Sequence, residues 1–200
     1  MANFRAGFTP VKSITGAPYS GAVNIYAVIG AEAVSVGIGD LVKQSDAAAV
    51  GGYSAVEAVS AVGDIIVGAV VGFCMTVPDG SMTRGASPTL DSPVYIPGAE
   101  TNVKYVYVAD DPNLIFQTTA SGTYTADQVG LNTQITISTA STTTGQSTSQ
   151  MDTTLLAVTA SLGLKFIGVV LSPDNTLGAA GSAVLVKINR HAYANLTVGV

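Results

Sequence analysis

Residues 102–118, NVKYVYVADDPNLIFQT, constrain the fold of this chain more than any other stretch. Val103, Tyr105 and Tyr107 alternate with Lys104, Val106 and Val108, and an extended backbone sends two such triplets to opposite faces. One strand between two unlike environments is expected. Proline presets φ for the first corner of a turn, and Asp or Asn can bond the backbone two residues on, so Asp111-Pro112-Asn113 predicts a turn. Residues 114–118 then return to β-formers, and the stretch as a whole predicts two strands paired through that corner. Similar segments recur along the chain. The fold class expected is mainly β, with short antiparallel strands in one or two β-barrel or sandwich modules and an extended N-terminal arm.

Composition supports this reading. A chain of 200 residues can bury roughly 70% of its extended surface without disulfides. The hydrophobic fraction of 48% is largely Ala and Val with no Trp, and charged residues reach only 10%, whereas exposed helices normally carry many Glu, Lys and Arg. The net charge of −5 and the scattering of five Lys and three Arg leave no basic stripe for a phosphate backbone, so nucleic acid is not an expected partner. So sparse a surface charge suits a subunit of an assembly, since polar and small apolar faces can meet other protein without large desolvation costs. Cys74, inside an apolar run, is expected to be a small buried hydrophobe in a reducing compartment. That run, residues 65–77, is too short to span a bilayer and predicts a buried strand, so no membrane partner is expected. The first residues, MANFR, lead into Gly, Pro and Ser rather than an apolar secretory segment.

Taken in order, residues 1–22 predict the extended arm, because Gly7, Pro10, Gly16, Pro18 and Gly21 interrupt any helix. Phe4, Phe8, Val11, Ile14 and Tyr19 would need burial there, against the arm's own domain or a neighbouring subunit. Residues 23–200 form the β-rich body. Gly37-Ile38-Gly39 predicts a turn, not a phosphate loop, for no Gly-Lys-Ser/Thr follows it. Residues 53–62 and 65–77 predict a hairpin turning at 61–64. Residues 81–98 predict a loop around a short strand at 94–96, and a boundary between two modules would fall there. One helical turn is expected at 126–129 and strands at 134–138, 153–159, 164–171 and 183–189, with 196–200 able to add an edge strand. Residues 138–150, almost all Ser, Thr and Gln, predict an exposed mobile loop.

Chemistry is thin. His191 is the only histidine, so any Ser/His/Asp or Cys/His unit must use it, and its place at a strand end beside Arg190 predicts a partly exposed side chain without catalytic duty. One Cys and one His cannot complete a tetrahedral zinc site without carboxylates. Asp110 and Asp111 with Asn113 could ligate calcium in a loop, but Pro112 favours an Asx-type turn. No catalytic, metal or cofactor residue is assigned, and the expectation is a protein that is not an enzyme.

Several landmarks carry a resemblance: residues 13–24 (SITGAPYSGAVN), 38–43 (IGDLVK), 68–73 (GAVVGF), 107–112 (YVADDP) and 171–175 (LSPDN). In this order they resemble the decoration, or cement, proteins of tailed-bacteriophage capsids. Residues 138–150 have no counterpart in that pattern. The resemblance implies a β-rich structural virion protein, assembled in the host cytoplasm and seated on the outer capsid surface. It further implies a homotrimer that bridges and stabilises subunits of the major capsid protein. Phe4, Phe8 and Tyr19 of the arm are then the candidate contact residues. The alternatives are a fibre-type receptor- or glycan-binding β module and, behind it, a carboxylate-based hydrolase.

Overall fold

A computed structural model describes residues 5–29, 35–74, 95–98 and 103–194. Its strands are β1 (Thr9–Ser13), β2 (Asn24–Val28), β3 (Val36–Gly37), β4 (Leu41–Gln44), β5 (Val56–Ala58), β6 (Ile66–Cys74), β7 (Tyr95–Ile96), β8 (Lys104–Ala109), β9 (Leu114–Thr119), β10 (Asn132–Thr133), β11 (Ile135–Thr136), β12 (Gln150–Met151), β13 (Leu164–Val169) and β14 (Ala183–Ile188). The mainly β class is as expected. One five-stranded sheet has the order β1-β9-β14-β13-β10 and a second β2-β8-β6-β4-β5, with the short pairs β3–β7 and β11–β12 beside them; the ladders are antiparallel and none closes into a barrel.

The stretch that led the sequence reading is the junction of these sheets. β8 and β9 form where expected, and Asp111 Oδ1 accepts the Asn113 N–H at 2.8 Å, the Asx turn anticipated. They do not pair with each other, however: β8 lies in the second sheet and β9 in the first. The reason is local. Tight hairpins want primed turns with positive φ, and Pro112 holds φ negative, so the chain turns a corner and leaves its sheet. The two faces of β8 do differ: Val106 and Val108 join one apolar cluster, while Tyr105 joins Ala27 and the buried Cys74 in another, with Val103 and Tyr107 packed against it.

The second sheet curls until its outer strands touch. Ala27 pairs with Ala55 in a single bridge, and the Ala27 N–H donates to Ser54 O at 3.0 Å. Inside the curl lie Tyr26, Val28, Val36, Val42, Val56, Val67, Val70, Ile96, Val106 and Val108. Gly68 is needed here: a Cβ at that position would stand 2.2 Å from the Ala109 carbonyl oxygen. The turn at 61–64 exists, with Asp64 Oδ2 accepting the N–H groups of Ser60 and Ala61, but the predicted hairpin does not. β5 pairs with β4, and β6 pairs with β4 and β8. A strand buried on both faces from Ile66 to Val70 gains more between two neighbours than at an edge.

In the first sheet β1 is the edge strand, antiparallel to β9, with a bulge at Val11 and Pro10 where only an edge tolerates it. The N-terminal segment is thus extended but stitched to the body. A main core of Phe8, Leu41, Ile66, Ala69, Ala109, Phe116, Phe166, Val184, Val186 and Ile188 draws on both sheets. Residues 138–150 are not a free loop: Gly145 O accepts from Ile38 N, Ile38 O from Ser147 N and Ser149 O from Gly7 N, each at 2.8 Å, and Ala140, Ser147 and Ser149 are buried. The backbone of this segment satisfies the β3–β4 turn, while hydroxyls such as those of Thr148 and Ser149 bond within the segment, to Thr139 O and Ser138 O. Residues 153–159 make one bridge, Asn132 to Ala157, in place of the expected strand. The helical turn is a 3-10 turn at Ala126–Gln128, and the 134–138 strand narrows to β11. The expectations for most of 81–94 and for 196–200 lie outside the described residues, so the proposed module boundary does too; the change of sheet falls at 110–113.

Candidate functional site

The three candidate contact residues separate. Phe4 lies outside the described residues. Phe8 is 1% exposed and packs in the main core, so its ring presents nothing to a partner. Its commitment follows from the backbone around it: Gly7 N donates to Ser149 O and Phe8 N to Gly39 O, each at 2.8 Å, which turns the ring inward. Tyr19 is half-buried against the main core, and its hydroxyl donates to Ala22 O at 3.0 Å. Burial, with Asp110 as a smaller influence, raises its pKa.

The chemistry-bearing residues gather instead at the sheet junction. Strand pairing opposes Asn24 to Val108, which places Asn24 beside the start of the corner. Asn24 Nδ2 donates to both carboxylate oxygens of Asp110, at 3.0 and 2.9 Å, and Tyr26 Oη donates to Oδ2 at 2.6 Å. The Tyr26 hydroxyl also meets that of Tyr193 at 3.0 Å. Burial first, then the bond to Asp110, pushes the Tyr26 phenol far above its usual range, so it stays a donor. His191 closes the group. It is buried, not partly exposed as its strand-end position predicts, because the chain after β14 returns under β6: Ile66 N donates to Arg190 O and Ala192 N to Ile66 O, both at 2.8 Å. His191 Nδ1 accepts the Tyr193 N–H at 3.0 Å, while Nε2 is buried without a protein partner among the described residues. Burial lowers its pKa to about 4, helped by Lys187 and opposed by Asp110 and Asp111.

This arrangement fixes geometry more than it offers a reacting centre. Asp110 is taken up by three bonds, Asp111 by its turn, and the imidazole donor faces the interior. A calcium loop is not what Asp111 and Asn113 build, because the Asp111 carboxylate faces its own backbone. Among the described residues no cluster of His, Cys, Asp and Glu is placed to hold a metal ion.

One polar group escaped the sequence reading. Asp40 is buried where β3, the N-terminal segment and residues 145–149 meet; its Oδ2 accepts the Gly37 N–H at 2.8 Å, and Ser147 bonds its carboxylate. Burial raises its pKa to about 6 against those two bonds. Its only signal in sequence was a turn aspartate between Gly39 and Leu41.

The surface offers shallow grooves. One of about 390 Å³ is lined by Arg5, Thr119, Thr144, Gln146, Thr148 and Gln150. Another of about 380 Å³ lies between Leu171, Pro173 and Leu177. Leu171 is 85% exposed and Val158 87%, at opposite ends of β13, and Leu155, Leu177, Val62 and Ile65 are exposed as well. Fold and site together define an antiparallel β scaffold with a polar junction bonded within itself except at His191 Nε2, and with outward apolar side chains on its loops. Compared with protein-family models, with curated proteins and with solved structures, the chain matches none.

Proposed function

We propose that this chain is a structural virion protein that binds the outside of a phage capsid shell, as trimers, and stabilises it by bridging major capsid subunits. The observation that carries this reading is the set of outward apolar side chains on short connections of the first sheet, above all Val158 and Leu171. The order of sequence landmarks shared with phage decoration proteins supports it. Each footprint can be modest, because a shell fixes the spacing of its subunits and many weak contacts on one lattice act as an intramolecular set. A scaffold poor in charge pays little desolvation when it lies on such a surface. Phe8 takes no part in the contact, and the loops take over the role first assigned to the arm.

The test is to mix purified chain with emptied phage heads stripped of decoration protein. Cosedimentation and a raised temperature of head disruption are expected, and Val158→Asp should reduce occupancy while leaving the chain's own melting unchanged. Heads that neither retain the protein nor gain heat resistance would sink the proposal. Binding to cell-surface glycans in their place would favour the fibre-type reading.

A further inference from the structure

We propose that one water molecule is bound in a small cavity between the second sheet and residues 135–149, bonded to Ser35 Oγ, the Asp40 carboxylate and Ser149 Oγ. The cavity measures about 10 Å³, room for a single water, and its walls combine the apolar Leu41 and Ile135 with Ser35, Asp40, Ser138 and Ser149. That mixture decides what the cavity holds, because apolar cavities stay dry and polar ones keep a water where two to four partners converge on it. Ser35 is 7% exposed, and its Oγ is buried without a hydrogen-bond partner among the described residues. A hydroxyl in that position costs stability unless something in the cavity bonds it.

The other two partners have capacity to spare. A carboxylate accepts at about four positions, and on Asp40 the Gly37 N–H takes one, at 2.8 Å, and Ser147 another. Ser149 Oγ accepts the Ser138 N–H at 3.1 Å and donates to Ser138 O at 3.2 Å, which leaves it one lone pair. The water therefore accepts the Ser35 O–H and donates to Asp40 and to Ser149. Burial is the largest influence on Asp40 and the two existing bonds oppose it, so a third donor has a charge to stabilise. A metal ion fits less well: calcium takes six to eight oxygens, and a single carboxylate already facing N–H and O–H donors supplies too few. The bridge also has a mechanical consequence. Ser35 precedes β3 and Asp40 precedes β4, while Ser149 O accepts the Gly7 N–H, so the water ties the second sheet to the segment that holds the N-terminal strand in place.

A crystal structure of the intact chain at a resolution that shows ordered water tests this, with magnetic relaxation dispersion counting long-lived waters in solution. Density for one atom within hydrogen-bond distance of both Ser35 Oγ and the Asp40 carboxylate is expected. Ser35→Val fills the cavity and removes the hydroxyl. In that variant the density should vanish, the count of long-lived waters should fall by one, and the titration midpoint of Asp40, read by carboxyl NMR, should rise by about one pH unit. Should the valine variant fail to fold, the density in the wild type decides. No density at that place, an atom touching only one of Ser35 and Asp40, or oxygen distances near the roughly 2.4 Å of a bound metal ion would each overturn the proposal. So would a folded Ser35→Val chain whose water count and Asp40 midpoint both match the wild type.

Discussion

At the scale of single residues, two buried titratable groups pull stability in opposite directions. His191 has a pKa near 4 in the fold against 6.5 unfolded, so between those values the unfolded chain binds more protons and stability falls on acidification. Asp40 sits near 6 against 3.8, so across its window the folded chain binds more protons and stability rises as pH falls. Each is worth on the order of 3 kcal/mol over its full range. The two overlap between pH 4 and 6 and offset one another. Urea denaturation from pH 7 to 4 should show Asp40→Asn losing stability relative to wild type as the pH falls, and His191→Asn gaining it. Parallel curves for all three proteins would refute the assignment. Neither residue's environment was legible in sequence: a strand-end histidine and a turn aspartate are ordinarily exposed, and both are buried by segments distant along the chain, residues 66 for one and 147 for the other. Phe8 is similar, since nothing in residues 1–22 distinguishes a ring bound for its own core from one bound for a neighbour.

At the scale of elements, what alternation and turn chemistry determine locally could be read, and what depends on a partner strand could not. The two faces of β8, the Asx corner at Asp111, the helical turn at Ala126–Gln128 and the central alternation of β14 follow from residues within a few positions of one another. Pairing does not. β5 takes β4 rather than β6, because that choice is decided by where the doubly buried β6 finds two neighbours; the parting of β8 and β9 at Pro112 is local, but which strands each then joins is not. Close approach is equally invisible in sequence. Gly68 reads as a break in a Val-rich run, yet its missing side chain lets β6 pass the carbonyl of Ala109. Gly68→Ala should therefore cost about 2–3 kcal/mol through forced separation of β6 and β8, seen as a lower denaturation midpoint. A midpoint equal to wild type would mean the strands have room that their spacing denies. Asn175→Ala strips three bonds from the β13–β14 connection and leaves the Ala183 N–H and two carbonyls without that partner, so a loss of about 2–4 kcal/mol is expected in the same assay.

At the scale of the molecule, the chain closes on itself: its N-terminal strand is laid on a sheet built mainly from its C-terminal half, and the sheets share one core. This changes what a truncation can report. Had residues 1–21 formed a detached arm, removing them would leave the fold intact and test attachment alone. With β1 at the edge of β9 and Phe8 among Phe116, Phe166 and Ile66, the same deletion takes away a ladder and a fully buried ring. Phe8→Ala alone should cost about 3–5 kcal/mol, lowering the melting temperature by roughly 10 °C. Against a total stability of order 5–15 kcal/mol, loss of the whole segment should leave a chain without a cooperative transition. Differential scanning calorimetry of the full chain, Phe8→Ala and the chain lacking residues 1–21 separates the cases. A truncated chain that melts cooperatively within a few degrees of the full one would show that the segment is an appendage after all, and the contact surface would then move back from the loops to the arm.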